Sequence, residues 1–291
     1  MRAMRTSFTM WGVEPDWYVP IAQALERAGF EALWISDHVA TPLEYKRIYP
    51  YNDSGEPGYT PETPLLDIWP IMGALAACTK TLLLGSGVLI LPIRNPFLTA
   101  HAVVTVHNLS HGRFLFGVGT GWMEEEFTVL GESFVARGAR TEEILDVLDK
   151  LWTGKPTSHE GRFYNFRSVT HPPEPVTPIP LVGCGLSDGM LRRTARRMDG
   201  WYGPAVTLDV SIAAVSELGK LRAEYSREGS FDNYVRLDGG FDEANLERHR
   251  EAGVEHLVVS MALLGIPAAA GLEERVEAIE RAGQRLAQVT V

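Results

Sequence analysis

Short apolar runs alternate with amphipathic stretches along almost the whole chain, and this alternation restricts the fold more than any other feature. The predicted strands are Thr6–Trp11, Glu31–Ser36, Thr81–Val88, Arg113–Val118, Ile179–Gly183, Gly200–Gly203, Tyr234–Asp238 and Glu255–Ser260. Strands that are separated by helices pair in parallel, and eight strand–helix units are typical of a closed (β/α)8 TIM barrel. We therefore predict one α/β barrel domain over residues 1–291. An open doubly wound sheet is the alternative, because strand order cannot be read from the sequence.

Two stretches are longer than ordinary connections. Residues 41–64 follow the second predicted strand and are rich in proline, tyrosine and glycine. Residues 154–178 follow the fourth strand and its helix, and they contain a possible hairpin around His159–Tyr164. Long loops in compact domains often cover or bind a ligand. We predict insertions after strands two and four, with residues 41–64 as a substrate lid; surface loops without a function are the alternative.

Composition excludes several classes of function. The net charge of −10 argues against a surface for nucleic acid or anionic membrane. No apolar run approaches the ~20 residues of a membrane span, and the N-terminus lacks the pattern of a signal peptide. The two cysteines, Cys78 and Cys184, form no CxxC pair, which fits a reducing compartment. We expect a soluble cytoplasmic protein with a small-molecule substrate and no metal site.

Candidate functional residues follow the predicted strands. In a (β/α)8 barrel the carboxyl ends of the strands build the active site. Asp37 and His38 come directly after the second strand. Glycine-rich clusters end the third, fourth and fifth strands, at Gly85–Gly87, Gly117–Trp122 and Gly183–Ser187. Glycine permits close approach of the backbone to a ligand, so three clusters at one rim predict a large planar or phosphorylated ligand.

The last of these clusters is a strand, a glycine turn and a helix, "VGCGLSDGMLRRTARR". Ser187 or Asp188 is expected to cap the helix. Free amides at a helix N-terminus, together with the helix dipole, predict a phosphate site. Cys184 is interpreted as a small filler of the turn, since no histidine base lies near it in sequence. The arginines that follow are expected to form a solvated helix face; they are Arg192, Arg193, Arg196 and Arg197.

Four motifs in register resemble a known superfamily. They are "FEALWISDHV", "LLLGSGVLILPIRNPFLTAH", "LSHGRFLFGVGTGWMEEEFTVLG" and "IPLVGCGLSDGMLRRTARRMDGWYG". Together they resemble the luciferase-like superfamily of flavin and deazaflavin enzymes, and within it the branch that uses coenzyme F420. The resemblance extends over roughly Phe8 to Gly203. Beyond Pro204 the chain is similar only in its strand–helix character.

The resemblance implies a cofactor ring over the barrel mouth, a homodimer, and a non-proline cis peptide near Gly87-Val88. It also implies that His38 lies beside the ring as the catalytic proton partner, a role that suits an imidazole. The implied cofactor-binding residues are Asp37, Ser86, Gly87, Val88, Gly119, Thr120, Gly121, Gly183, Cys184, Gly185, Leu186 and Ser187.

One position departs from the pattern of the branch. Its sugar-phosphate dehydrogenases carry a glutamate acid after the Gly-Thr-Gly turn, where this chain has Trp122. The next carboxylates, Glu124–Glu126, are expected on a helical turn that points them elsewhere. Oxidation of a sugar phosphate is therefore not expected. Trp122 is predicted to line the substrate site together with Trp11 and Tyr45, although core packing is an equal alternative for Trp122.

Three functions remain open. The leading prediction is an F420-dependent oxidoreductase that moves a hydride between the deazaflavin and a small organic substrate. The second is an FMN-dependent two-component monooxygenase supplied with reduced flavin by a separate enzyme, and the third is a binding protein without turnover. The Ser-Asp-His ending of the second strand favours the first. The direction of hydride transfer is not readable from the sequence.

Overall fold

The computed structural model of the chain describes residues 4–46 and 48–289. The ends of the predicted domain (residues 1–3 and 290–291) and Arg47 of the predicted lid lie outside the described residues. The strands are β1 (Arg5–Met10), β2 (Ala32–Ile35), β3 (Leu83–Ser86), β4 (Leu89–Ile90), β5 (Phe114–Gly119), β6 (Thr157–Glu160), β7 (Asn165–Val169), β8 (Leu181–Cys184), β9 (Gly200–Tyr202), β10 (Asp232–Arg236) and β11 (His256–Ser260). The helices are α1 (Tyr18–Arg27), α2 (Ile68–Cys78), α3 (Pro96–Leu109), α4 (Glu124–Val129), α5 (Arg137–Leu151), α6 (Asp188–Arg197), α7 (Leu208–Glu224), α8 (Glu243–Glu251) and α9 (Leu272–Val289).

A ring of parallel strands closes the barrel in the described part of the chain. β1, β2, β3, β5, β8, β9, β10 and β11 pair in that order, and β11 pairs with β1. The predicted (β/α)8 fold is therefore confirmed, and each predicted strand overlaps one strand of the ring. The boundaries differ by a few residues. For example, β10 begins at Asp232, two residues before the predicted start at Tyr234.

Both predicted insertions are present. The described residues of the 41–64 segment contain no helix or strand. The second insertion contains the predicted hairpin, β6–β7, with His159 opposite Phe166. Glu143 of α5 fixes the hairpin, because its carboxylate accepts hydrogen bonds from the amides of residues 162–164.

Aromatic side chains fill the inside of the barrel. Trp34, Tyr202 and Tyr234 are buried there, with ring centroids of Trp34 4.7 and 4.8 Å from those of the two tyrosines. A methyl carbon added at Gly85 would lie 2.3 Å from the Trp34 ring, and one at Gly117 would lie 1.9 Å from a neighbouring carbonyl oxygen. These two glycines make room for internal packing, so a ligand is not needed to explain them.

A second, larger apolar core lies between the barrel and its surrounding helices, where Phe8, Leu33 and Phe114 are fully buried. Several helices begin at residues whose side chains cap them, as Asp67 does for α2 and Asn95 does for α3. Among the helices described, none combines the length and apolar character that crossing a membrane requires.

Candidate active site

His38 is held by a buried carboxylate at the carboxyl end of β2. Its Nδ1 lies 2.9 Å from Oε2 of Glu126, a side chain that is only 1% exposed. The other Glu126 oxygen accepts hydrogen bonds from the amides of Val39 and Ala40, at 2.7 and 3.3 Å. A carboxylate at Nδ1 favours the tautomer that donates from Nδ1, which leaves Nε2 able to accept a proton.

The expectation that Glu126 points away from the site is therefore wrong. Glu124 and Glu125 do point elsewhere, because they bind the Nζ and the backbone amide of Lys46 at 2.8 and 3.0 Å. One signal could have separated the three. Glu126 directly precedes Phe127, an apolar residue that marks the buried side of α4, whereas Glu124 and Glu125 lie further from it in the sequence.

Tyr59 of the 41–64 segment lies against the imidazole. Its Oη is 3.3 Å from Nε2 and 3.5 Å from Nδ1 of His38, and the two ring centroids are 4.9 Å apart. Burial raises the pKa of Tyr59 well above its ordinary value, and the nearby charge of Glu126 adds to the rise. Tyr59 therefore keeps its proton and can donate it to Nε2 in a hydrogen bond.

Further aromatic rings surround this pair. Trp11 packs edge-on against Tyr59 at 5.5 Å, and Trp122 lies 6.5 Å from the His38 ring. The structure thus brings two predicted substrate residues to His38. The third, Tyr45, donates instead to Glu56 of its own segment at 2.7 Å.

Tyr49 belongs to the predicted lid, but its contact with Trp122 was not predicted. Its ring lies 5.2 Å from that of Trp122 and 5.3 Å from that of Tyr51, so the predicted lid reaches the mouth of the barrel. The run of tyrosines in this segment was its only signal in the sequence.

Asp37 uses its carboxylate inside the protein. It forms an ion pair with Arg94 and accepts a hydrogen bond from the amide of Ile90 at 3.3 Å. Burial raises the pKa of the Asp37 carboxyl, and the Arg94 guanidinium works against that rise. The carboxylate thereby connects the segment after β3 to the end of β2, directly before His38. A contact between Asp37 and a cofactor stays a prediction.

The segment after β3 forms a bulge at the barrel mouth. The peptide bond between Gly87 and Val88 is cis, as predicted. The Gly87 carbonyl accepts a hydrogen bond from the Ser36 hydroxyl at 3.1 Å, and Val88 packs against the inner aromatic cluster. Ser86 is fully buried, and its hydroxyl donates to the Gly117 carbonyl at 2.8 Å, so that hydroxyl is already engaged.

Gly119 ends β5 beside this bulge, and Thr120 and Gly121 follow the strand. A methyl carbon at Gly119 would lie 2.8 Å from Val88, and one at Gly121 would lie 2.7 Å from Phe127. The backbone of this turn is therefore close to the bulge on one side and to α4 on the other.

The turn between β8 and α6 has the geometry predicted for it. Gly185 has a φ of +127°, a conformation that side chains rarely adopt, and Ser187 caps α6 by accepting from the Met190 amide at 3.3 Å. Cys184 faces the inner cluster, and burial raises the pKa of its thiol to about 12, which fits a filler. Gly183 faces α6 instead, since a methyl carbon there would lie 2.1 Å from Thr194. Leu186 packs against the outer core.

The arginines of α6 bind a neighbouring helix. Nε of Arg193 lies 2.7 Å from Glu142 of α5, and Nη2 of Arg197 lies 2.7 Å from Asp149. Arg193 and Arg197 are largely covered, so the prediction of a solvated face is wrong for them. Arg192 fits that prediction, because it is half-exposed and pairs with Asp188.

The luciferase-like monooxygenase family matches residues 10–287 of the chain. The chain belongs to this family. The predicted resemblance is confirmed, and the family makes the protein an oxidoreductase. The predicted third alternative, a binding protein without turnover, is not carried further.

Relatives in this family include proteins named for the F420 branch. An F420-dependent glucose-6-phosphate dehydrogenase of Nakamurella multipartita is 30% identical over 212 residues, which are 70% of this chain and 58% of that protein. An uncharacterized protein of Mycobacterium tuberculosis (strain ATCC 25618 / H37Rv) is 31% identical over 256 residues, 88% of each chain. The name of the Nakamurella multipartita protein supports the predicted branch.

Solved structures share the fold. An F420-dependent secondary alcohol dehydrogenase superposes with a TM-score of 0.75 at 17% identity, covering 97% of this chain and 98% of that one. The monooxygenase RslO1 from Streptomyces bottropensis superposes with a TM-score of 0.72 at 17% identity, covering 98% and 99%.

Proposed function

We propose that the protein is an F420-dependent oxidoreductase that moves a hydride between the deazaflavin and a small organic substrate, with His38 as proton partner. The observation that carries the proposal is the pair of His38 and the buried Glu126 at the barrel mouth, 2.9 Å apart. A relative of the same family is named an F420-dependent dehydrogenase, which supports the choice of cofactor. Turnover further requires a separate enzyme that supplies or reoxidises the cofactor, and the predicted homodimer remains part of the proposal.

The residues at the barrel mouth fit a cofactor that has a flat ring and a side chain with a phosphate. The bulge at Gly87-Val88 offers backbone to the ring, and the turn of Gly185 and Ser187 offers a helix N-terminus to the phosphate. Tyr51 covers that turn, with its Oη 3.3 Å from the position of a methyl carbon on Gly185. Binding of the cofactor phosphate therefore requires Tyr51 to move aside.

The chain's own residues supply proton transfer and shielding. When bound, the deazaflavin supplies or accepts the hydride. His38 takes or gives the accompanying proton at Nε2 after the Tyr59 hydroxyl releases that atom, and Glu126 holds the imidazole in the tautomer that allows this. Tyr59 and Trp122 cover the imidazole and exclude water from it.

The FMN-dependent monooxygenase is the second candidate. It is favoured by the structural likeness to the monooxygenase RslO1. A fluorescence titration of the purified protein with oxidised coenzyme F420, and separately with FMN, distinguishes the two. Micromolar binding of F420 with far weaker binding of FMN is expected. Tighter binding of FMN would replace the first proposal with the second.

His38→Ala tests the proton partner. We expect F420 affinity to stay within about tenfold while turnover falls by ~10²–10⁴-fold, the usual size of an acid–base contribution. The readout is the rate of hydride transfer between reduced F420 and a substrate that the wild-type protein converts. Cofactor affinity is measured on the same sample. Unchanged turnover would mean that His38 is a loop residue without a role in proton transfer.

A further inference from the structure

Arg236 lies at the carboxyl end of β10, where the strands of a barrel present their functional side chains. Its position is two residues after the inward-facing Tyr234, so it shares that face of the strand. Nη1 of Arg236 lies 3.2 Å from Oη of Tyr202, which is itself part of the inner cluster. The guanidinium therefore lies on the floor of the barrel mouth.

Within the described part of the chain, this guanidinium lacks the protein partners of other covered arginines. Arg94, Arg193 and Arg197 each pair with a carboxylate. Others donate to backbone carbonyl oxygens, as Arg113 does. Among the described residues, Arg236 has no carboxylate within ion-pair distance, and its Nε is buried without a hydrogen-bond partner. Arg236 is only partly buried, and its charge has a phenol as its hydrogen-bond partner within the protein, so the guanidinium can still bind an anionic oxygen.

The guanidinium also borders the site that surrounds His38. Oη of Tyr202 lies 3.5 Å from the position of a methyl carbon on Gly87, so the bulge and the guanidinium contact the same phenol. Tyr49 connects the two ends of the mouth. Its ring packs against Trp122, while burial raises its pKa to about 12 and the charge of Arg236 works against that rise.

We propose that Arg236 binds a carboxylate of the substrate, and that the substrate is a flat, apolar organic acid. Its apolar body lies between the rings of Trp122 and Tyr59, and its oxygen reaches the guanidinium. The proposal rests on the proposed function for the location of the substrate. It adds the residue that selects the substrate and the chemical class selected.

The experiment compares two probes of equal shape, benzoate and benzamide. Their dissociation constants are measured by calorimetry for the wild-type protein, Arg236→Met, Arg236→Lys and the control Arg281→Met, which removes an exposed charge on α9. Each is measured without cofactor and with oxidised F420. The cofactor-free series still tests Arg236 if F420 does not bind, so a failure of the proposed function can be recognised separately.

We expect Arg236→Met to weaken benzoate binding by about tenfold or more, the size of a charge-assisted hydrogen bond, and to change benzamide binding by less than about twofold. Arg236→Lys should recover part of the benzoate affinity, and Arg281→Met should match the wild type. Three results would overturn the proposal: a wild-type protein that does not bind benzoate, equal losses for both probes, or a loss of F420 affinity alone.

Discussion

Glu126 determines what His38 can do, because it holds both the imidazole and the backbone that follows it. One carboxylate oxygen faces Nδ1 and the other accepts the amides of Val39 and Ala40. The orientation of His38 and the path of the chain after β2 thus depend on the same buried group. In the proposed reaction Glu126 acts through His38, which makes it a proposed positioning residue.

Glu126→Gln is expected to lower turnover by about 10²-fold, at the low end of an acid–base effect, with little change in F420 affinity. A glutamine amide that donates to Nδ1 would favour the opposite tautomer of His38, with the proton on Nε2. The check is a pH–rate profile, in which the limb that reports the base should shift or disappear. Glu124→Gln is the matched control and should leave the profile unchanged. A variant that loses turnover with an unaltered profile would contradict the positioning role.

Gly85→Ala tests the packing of side chains inside the barrel. Its methyl carbon would lie 2.3 Å from the Trp34 ring, so we expect a loss of about 1–3 kcal/mol in the free energy of unfolding. Gly219→Ala is the control, because nothing lies within 4 Å of its added carbon in α7, and it should be neutral or stabilising. Denaturant unfolding measures both. An undiminished stability of Gly85→Ala would mean that Trp34 does not need this space.

At the scale of elements, the 41–64 segment covers the barrel mouth and is tied down at several points. Tyr59 contacts His38, Tyr49 contacts Trp122, and Lys46 binds α4. Burial also raises the pKa of Tyr51 far above its ordinary value, so its phenol stays neutral over the turn proposed for the phosphate. The segment therefore lies over both the proposed substrate region and the proposed cofactor region, and its role as a lid is a proposal that extends to both.

Tyr51→Ala should tighten the apparent binding of F420 by about two- to tenfold, because the turn no longer has to be uncovered first. Leu43→Ala is a control in the same segment, since Leu43 is 80% exposed. Fluorescence titration of both variants decides the matter. Weaker F420 binding by Tyr51→Ala would instead make Tyr51 a contact of the bound cofactor.

At the scale of the whole molecule, a charged cluster joins the first and last strands at the amino end of the barrel. His256, at the start of β11, lies 2.8 Å from Glu31 and 3.0 Å from Asp232, and Arg5 of β1 contacts the same imidazole and Glu31. Burial disfavours the charged imidazole, but the hydrogen bonds and charges of the two carboxylates outweigh it and raise the pKa of His256.

A raised pKa in the folded protein gives a defined pH dependence. The contribution of His256 to stability is full below its unfolded pKa of about 6.5, and it is lost as the pH rises through the folded value. We expect the free energy of unfolding of the wild type to fall as the pH rises from about 6.5 through the folded pKa of His256, and to fall less in His256→Asn. Urea unfolding between pH 5.5 and pH 9 measures it. His111→Asn changes an exposed residue and should behave as the wild type. If the free energy of unfolding depends on pH in the same way in all three proteins, His256 does not cause the pH dependence.

The sequence by itself determined the barrel, its two insertions and the position of His38. These depend on local properties: apolar periodicity within each strand, glycine and proline between elements, and motifs in which neighbouring residues stay neighbours. Thus all the barrel strands and the β6–β7 hairpin agree with prediction, and so does the cis bond at Gly87-Val88 that the family resemblance implied.

Only the tertiary structure decided which side chains meet. Glu126 reaches His38 from 88 positions away, and Arg236 reaches Tyr202 from 34 positions away. Trp34 likewise accounts for Gly85 from a different strand. Such pairs depend on strand register and on the direction of each side chain within the closed barrel. Local spacing does not encode either property, so the partner of a candidate catalytic residue appears only when the barrel is closed.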